Sequence, residues 1–180
     1  MIAPDRHCCA PGSERPLTEG EIALAQSMFG SAIDPSGVMI RRRRWFPLQP
    51  RTTVMAPCGH IHFHPRASVY RDDFSAEALP LQALFIHEMT HVWQAQARGR
   101  WYLPFARHPF CRYRYEIKPG KLFAGYGIEQ QAEIVGHAFR ARLGGVARDD
   151  LEANRSRWGE FIPTDQCCGR DRTSVEGRKL

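Results

Sequence analysis

Apolar residues recur every three to four positions from about Leu79 to Arg98, the clearest periodicity in the chain. Leu81, Phe85, Met89 and Val92 form one apolar stripe, while Leu84, His87, Glu88, His91 and Ala95 fall on another side. The stretch holds no Gly, its single Pro80 lies in the first turn where proline is tolerated, and Gly99 is a natural stop. The pattern predicts one long helix. Phe85, Ile86, Val92 and Trp93 make it too apolar for a solvated element, so most of it is expected to be buried. An earlier helix opens on a capping box, Thr18 with Glu21; it buries Ile22, Ala25, Met28 and Phe29 and ends at Gly30. A third runs from about Ile128 to Leu143 and stops at Gly144-Gly145.

Between these helices the pattern changes. Val38 to Trp45 reads as a strand, and Thr52 to Met55 and His60 to His64 as two short strands around a turn at Pro57-Cys58-Gly59. Residues 99–126 are aromatic and irregular, with Tyr113 to Ile117 extended and a turn at Pro119-Gly120. Residues 1–16 read as a flexible lead, 17–162 as a single domain, and 163–180 as a polar tail. The order of elements predicts an α+β domain. A small mixed sheet packs against two helices, with a cleft along the edge of the sheet.

Composition narrows the picture only a little. The chain has 180 residues, enough for one domain with a real core, and carries a net charge of +6. Part of that excess is the run Arg41-Arg42-Arg43-Arg44, flanked by Val38, Met39 and Ile40 on one side and Trp45 and Phe46 on the other. Such a run reads as an exposed strand with snorkelling side chains; it permits contact with nucleic acid without requiring it. No apolar stretch approaches the roughly 18–20 residues of a membrane span. Met1 to Pro16 lacks the apolar core of a secretory signal, so synthesis in the cytoplasm is expected, with any export by a route that cleaves no signal. None of the six cysteines forms a C-x-x-C pair, which argues against a zinc ribbon. The vicinal pairs Cys8-Cys9 and Cys167-Cys168 allow either free thiols or a cross-link between the ends.

Chemistry enters at residues 87–91, His-Glu-Met-Thr-His, an H-E-x-x-H motif in the middle of the long helix. Four residues make slightly more than one turn, so His87 and His91 project from one face and can bind one zinc ion, with Glu88 placed to take a proton from water. A catalytic zinc needs a third protein ligand. The metzincin continuation requires Gly and His where this chain has Gln94 and Ala97, which excludes that class. Glu129 is one candidate. It opens the last helix with Glu133 one turn on, so one carboxylate can ligate while the other steadies a histidine. His108, in an aromatic loop, is a second. His60, His62 and His64 would share one face of a strand, read here as the solvated face, with Ile61 and Phe63 buried beneath. Tyr115, Tyr126 and His137 are possible oxyanion donors, and spacing does not choose among them.

Several segments together resemble a known family: Leu17 to Ala25 followed by Phe29-Gly30 and Ala32-Ile33-Asp34, His87 to Gln94, Tyr113 to Ile117, and Tyr126 through Glu133. They are similar to the metallopeptidase domain attached to some VgrG spike proteins of type VI secretion systems, and to stand-alone Vgr-related chains. The resemblance spans roughly residues 17 to 143 and implies a zincin-like fold. It implies that His87, His91 and Glu129 hold Zn2+, that Glu88 is the general base, and that Glu133 supports a ligating histidine. The implied activity is hydrolysis of peptide bonds in a protein or peptide substrate, and the implied partners are components of the secretion spike. No spike domain is expected among these residues, a departure from that family. Two alternatives stand beside it. A SprT-like protease acting on DNA-bound proteins would use His108 as third ligand. A non-catalytic interaction protein of a secretion apparatus would keep the scaffold without turnover.

Overall fold

The computed structural model describes residues 9–106 and 112–144. Four α-helices and a three-stranded sheet make up its regular structure. In chain order these are β1 (Glu14–Pro16), α1 (Glu19–Phe29), β2 (Met39–Arg41), β3 (Ile61–His62), α2 (Leu79–Arg98), α3 (Tyr102–Ala106) and α4 (Ile128–Arg142). The sheet order is β1-β2-β3. β1 runs antiparallel to β2 with Arg15 opposite Ile40, and β2 runs parallel to β3 with Ile40 opposite Ile61. This is a mixed α+β architecture. No helix among the described residues is long and apolar enough to cross a membrane.

The capping box forms as the sequence predicts and does more than open a helix. Thr18 Oγ1 accepts from the Glu21 amide at 3.1 Å, and Glu21 Oε2 accepts from the Thr18 amide at 2.9 Å. The Glu21 side chain is wholly buried, and its carboxylate also takes two bonds from the Arg15 guanidinium, at 2.7 and 2.8 Å, and one from the Phe74 amide at 2.9 Å. One buried ion pair thus ties β1, α1 and the turn at Phe74 together. Burial penalises the Arg15 charge, but the bonds and charge of Glu21 outweigh it and hold the guanidinium protonated. Glu14–Pro16, at the end of the stretch read as a lead, enters the sheet through this anchor.

α2 covers the range its periodicity predicts and ends at Gly99, whose φ of 97° suits glycine. Phe85, Met89 and Val92 from its apolar stripe are buried and Leu81 partly so. Phe63, Phe74 and Phe85 stack in sequence, with ring centroids 5.5 and 5.8 Å apart. This column joins β3's neighbour to α2 through the Phe74 turn, and Ile40, Ile61, Ile86 and Met89 fill the space around it. α4 packs along α2.

The strands depart from expectation. β2 stops at Arg41 instead of running on to Trp45, and Thr52 to Met55 forms no strand beyond a single bridge from Met55 to His62. The cause is Gln49. Its side chain is buried, accepts from the Trp45 amide at 2.7 Å, and donates to the carbonyls of Thr53 and His62. The segment after β2 therefore folds back over β3. That also overturns the reading of His62 and His64 as a solvated face, for both are buried. The His62 ring meets Trp45 edge-on at 5.3 Å, and its Nδ1 lies 3.4 Å from the Arg43 carbonyl. Burial, aided by the charges of Arg41 and Arg43, pushes His62 down to about 4. Among the described residues Tyr113 to Ile117 joins no strand. Cys9 and Cys58 are free buried thiols, whereas Cys8, Cys111, Cys167, Cys168 and the tail at 163–180 lie outside the described residues.

Candidate metal centre

Two helices build the site. α2 contributes His87, Glu88 and His91, and α4 contributes Glu129 and Glu133. One ligand atom each from His87, His91 and Glu129 lie within 4.8 Å of one another. Glu129 Oε2 is 3.3 Å from His91 Nε2 and 3.7 Å from His87 Nε2, and the Glu129 side chain is 1% exposed. Two ligands of one zinc, each about 2.0–2.1 Å from it at a tetrahedral angle, stand roughly 3.4 Å apart. The spacing and the two-nitrogen, one-oxygen donor set therefore fit zinc. Among the described residues no other group of three His, Cys, Asp or Glu side chains converges in this way.

Both histidines are oriented from behind. His91 Nδ1–H donates to Gln94 Oε1 at 2.8 Å. The direction of that bond follows from the amide, because Gln94 Nε2 donates to the Ile128 carbonyl at 3.0 Å and to Gln131 Oε1 at 2.9 Å. His91 Nε2 is thus left as the basic nitrogen facing Glu129. Gln131 in turn donates to the Tyr126 carbonyl at 2.8 Å, so the brace is fixed to the start of α4. In the sequence Gln94 signalled only that the metzincin pattern is broken. Its one-turn spacing from His91 and its amide chemistry were the available clues.

His87 is braced by charge. Its Nδ1 lies 3.5 Å from Glu133 Oε1, on the far side of the ring from Glu129. Glu133 Oε2 lies 3.6 Å from His137 Nε2, and His137 Nδ1 lies 2.6 Å from the Tyr115 hydroxyl. Burial, with the charge of Glu133, raises the Tyr115 phenol above its ordinary value. Burial lowers His137, more than Glu133 raises it. His91 moves the other way: burial opposes its protonation, but the bond to Glu129 and the charges of Glu129 and Glu88 outweigh it.

Glu88 is buried and lines a cavity of about 390 Å³ with His87, Glu129, Glu133, His137 and Arg140. Of the three possible oxyanion donors, His137 lines that cavity. Tyr115 reaches it through His137, and the Tyr126 hydroxyl is engaged with the Glu116 carbonyl and the Lys118 amide. His60 Nδ1 accepts from the Met39 amide at 3.3 Å, away from the cluster. His108 lies outside the described residues.

No family model matches the chain. It is similar to the type VI secretion system spike protein VgrG2b of Pseudomonas aeruginosa, 44% identical over 128 residues, which cover 67% of this chain and 12% of that relative. It thus spans only a small part of the spike protein's length. Among solved structures it is similar to the effector domain of Pseudomonas aeruginosa VgrG2b, with a TM-score of 0.66 and 37% identity. That match covers 89% of this chain and 88% of the domain.

Proposed function

The chain belongs to the family of the Pseudomonas aeruginosa VgrG2b effector domain, and from that premise we propose that it is a zinc metallopeptidase acting as a type VI secretion effector. One observation carries the enzymatic half of this reading. Two histidines and a buried carboxylate converge at zinc spacing beside a second buried carboxylate, Glu88, in an open cavity. A purely structural zinc site has no use for such a base and is closed by a fourth protein ligand.

His87, His91 and Glu129 would hold the metal. A zinc ion held there would supply a water of lowered pKa, toward 7, and would polarise a carbonyl. The protein's own groups do the rest. Glu88 removes a proton from the attacking water and hands it to the departing amine, as general base and then general acid. Gln94 and Glu133 keep each imidazole turned so that the nitrogen facing Glu129 carries the lone pair. His137, held by Tyr115, lines the same cavity beside Glu133.

The effector half rests on VgrG2b, a secretion spike protein whose effector domain this chain resembles. On this reading its partners are components of the secretion spike and its substrate is a polypeptide. Glu129 in third position also weakens the SprT-like alternative, which needs His108 there. The test is metal-dependent cleavage. Protein stripped by chelator and then given back zinc should generate new N-termini in a mixture of denatured proteins, read by mass spectrometry, and the stripped protein should not. Equal numbers of new N-termini with and without zinc would contradict the proposal.

A further inference from the structure

A second hollow, of about 260 Å³, opens beside the same pair of ligands. It touches His91 and Glu129, and the rest of its wall is apolar: Trp45, Phe46, Met55, Leu103, Pro104 and Ile128 are its larger members. Leu103 and Ile128 are buried, while Trp45 and Phe46 are 38% and 39% exposed at its rim. The cavity that holds Glu88, by contrast, is lined by Glu133, His137 and Arg140. Glu129 borders both spaces. The ligand cluster thus stands between a chamber that carries charged groups on a mixed wall and one whose wall is otherwise apolar.

From this we infer that the apolar hollow is the pocket for the side chain next to the scissile bond, and that it selects phenylalanine, leucine or methionine there. The inference rests on the metallopeptidase reading above, which puts a peptide carbonyl at the cluster. Residue spacing along an extended chain is about 3.3 Å, so a carbonyl at the ligands leaves its neighbouring side chain within reach of a hollow that begins at those ligands. Size fits as well. An apolar cavity of about 150 Å³ accepts benzene, so one of this volume has room for a phenyl or branched aliphatic group. A charged side chain would lose its water among Leu103, Ile128 and Phe46 without gaining a partner of opposite sign other than the ligands themselves. The fold-back of the segment after β2, held by Gln49, is what brings Trp45 and Phe46 to this rim.

Binding and cleavage separate this inference from the reading beneath it. Zinc-loaded Glu88→Gln protein is titrated with N-acetyl Gly-X-Gly amides, X being Phe, Leu, Ala or Asp, and followed by NMR. Phe and Leu should bind on the order of 10-fold more tightly than Ala or Asp. Adding Phe46→Glu should erase the advantage without changing zinc content, and Pro104→Asp, on a different element, should do the same. Equal affinity across the series, or an advantage untouched by both substitutions, overturns the pocket. The wild-type zinc protein is then given a peptide library. Cleavage with Phe, Leu or Met enriched beside the broken bond supports the pocket, and cleavage without that enrichment overturns it while leaving the peptidase reading intact. A binding preference with no cleavage supports the pocket's selectivity and refutes the peptidase reading.

Discussion

Replacing Glu21 with alanine should unfold much of the protein's margin of stability, although the residue lies in a helix cap far along the chain from the ligands. The wild-type carboxylate accepts four hydrogen bonds, two from Arg15 and one each from the Thr18 and Phe74 amides, with no exposure to water. Truncation leaves the Arg15 guanidinium buried at 4% exposure without its counter-ion. Breaking a buried pair in this way costs about 3–5 kcal/mol. The two orphaned amides each add a fraction of the roughly 1–3 kcal/mol of an unmet buried donor, since water enters the space left. A net loss of about 4–5 kcal/mol compares with a total of about 5–15 kcal/mol for an ordinary domain. For a chain of this size it lowers Tm by on the order of 10–15 °C. Urea unfolding followed by circular dichroism, with chelator present so that metal binding does not add to stability, reads the change. Replacing both partners with methionine should recover most of the loss, because no uncompensated charge remains. A loss below about 1 kcal/mol for Glu21→Ala would refute the buried ion pair as the anchor of β1.

Further outcomes follow from the same geometry. The purified protein should hold about one zinc per chain by elemental analysis, and the His87→Ala, His91→Ala double variant should hold none; full retention would remove the metal centre from these residues. In a zinc competition titration Glu129→Ala should weaken binding sharply, Glu133→Gln by roughly 10–100-fold, and His108→Ala hardly at all; the reverse order would favour the histidine ligand. Stability should fall as pH drops from about 6.5 toward 4, because the unfolded chain binds a proton at His62 that the buried ring refuses until about 4. That refusal corresponds to at most about 3–4 kcal/mol, less what solvent screening removes. A His62→Gln variant with an unchanged slope over that window would show that another group is responsible.

The long helices were legible because their signals are local. The Thr18 box, the stripe through Phe85, Met89 and Val92, and the stops at Gly30, Gly99 and Gly144 each act within a few residues, and the helices match them. Strands of two or three residues carry no comparable signal. Their extent is set by long-range partners, as when Gln49 captures the Trp45 amide and ends β2 early. Alternation in His60 to His64 told which side chains share a face but not which face the next loop covers. The same limit hid Gln94 and the wider reach of Glu21. Each is ordinary in sequence and acquires its role only when α4, or the Phe74 turn, is packed against it. His87, Glu88 and His91 needed one helical turn to be read, and Glu129 needed only a second helix beside the first.

The most direct test is the rate of peptide-bond cleavage by Glu88→Gln and wild-type protein at equal zinc content per chain. The substitution keeps the shape of the side chain and all three ligands while removing the base. The expected result is a fall on the order of 100-fold or more in the rate, with zinc bound as tightly as before. Unaltered turnover in the zinc-loaded variant would contradict Glu88 as the group that moves the proton, and with it the peptidase chemistry built on this site.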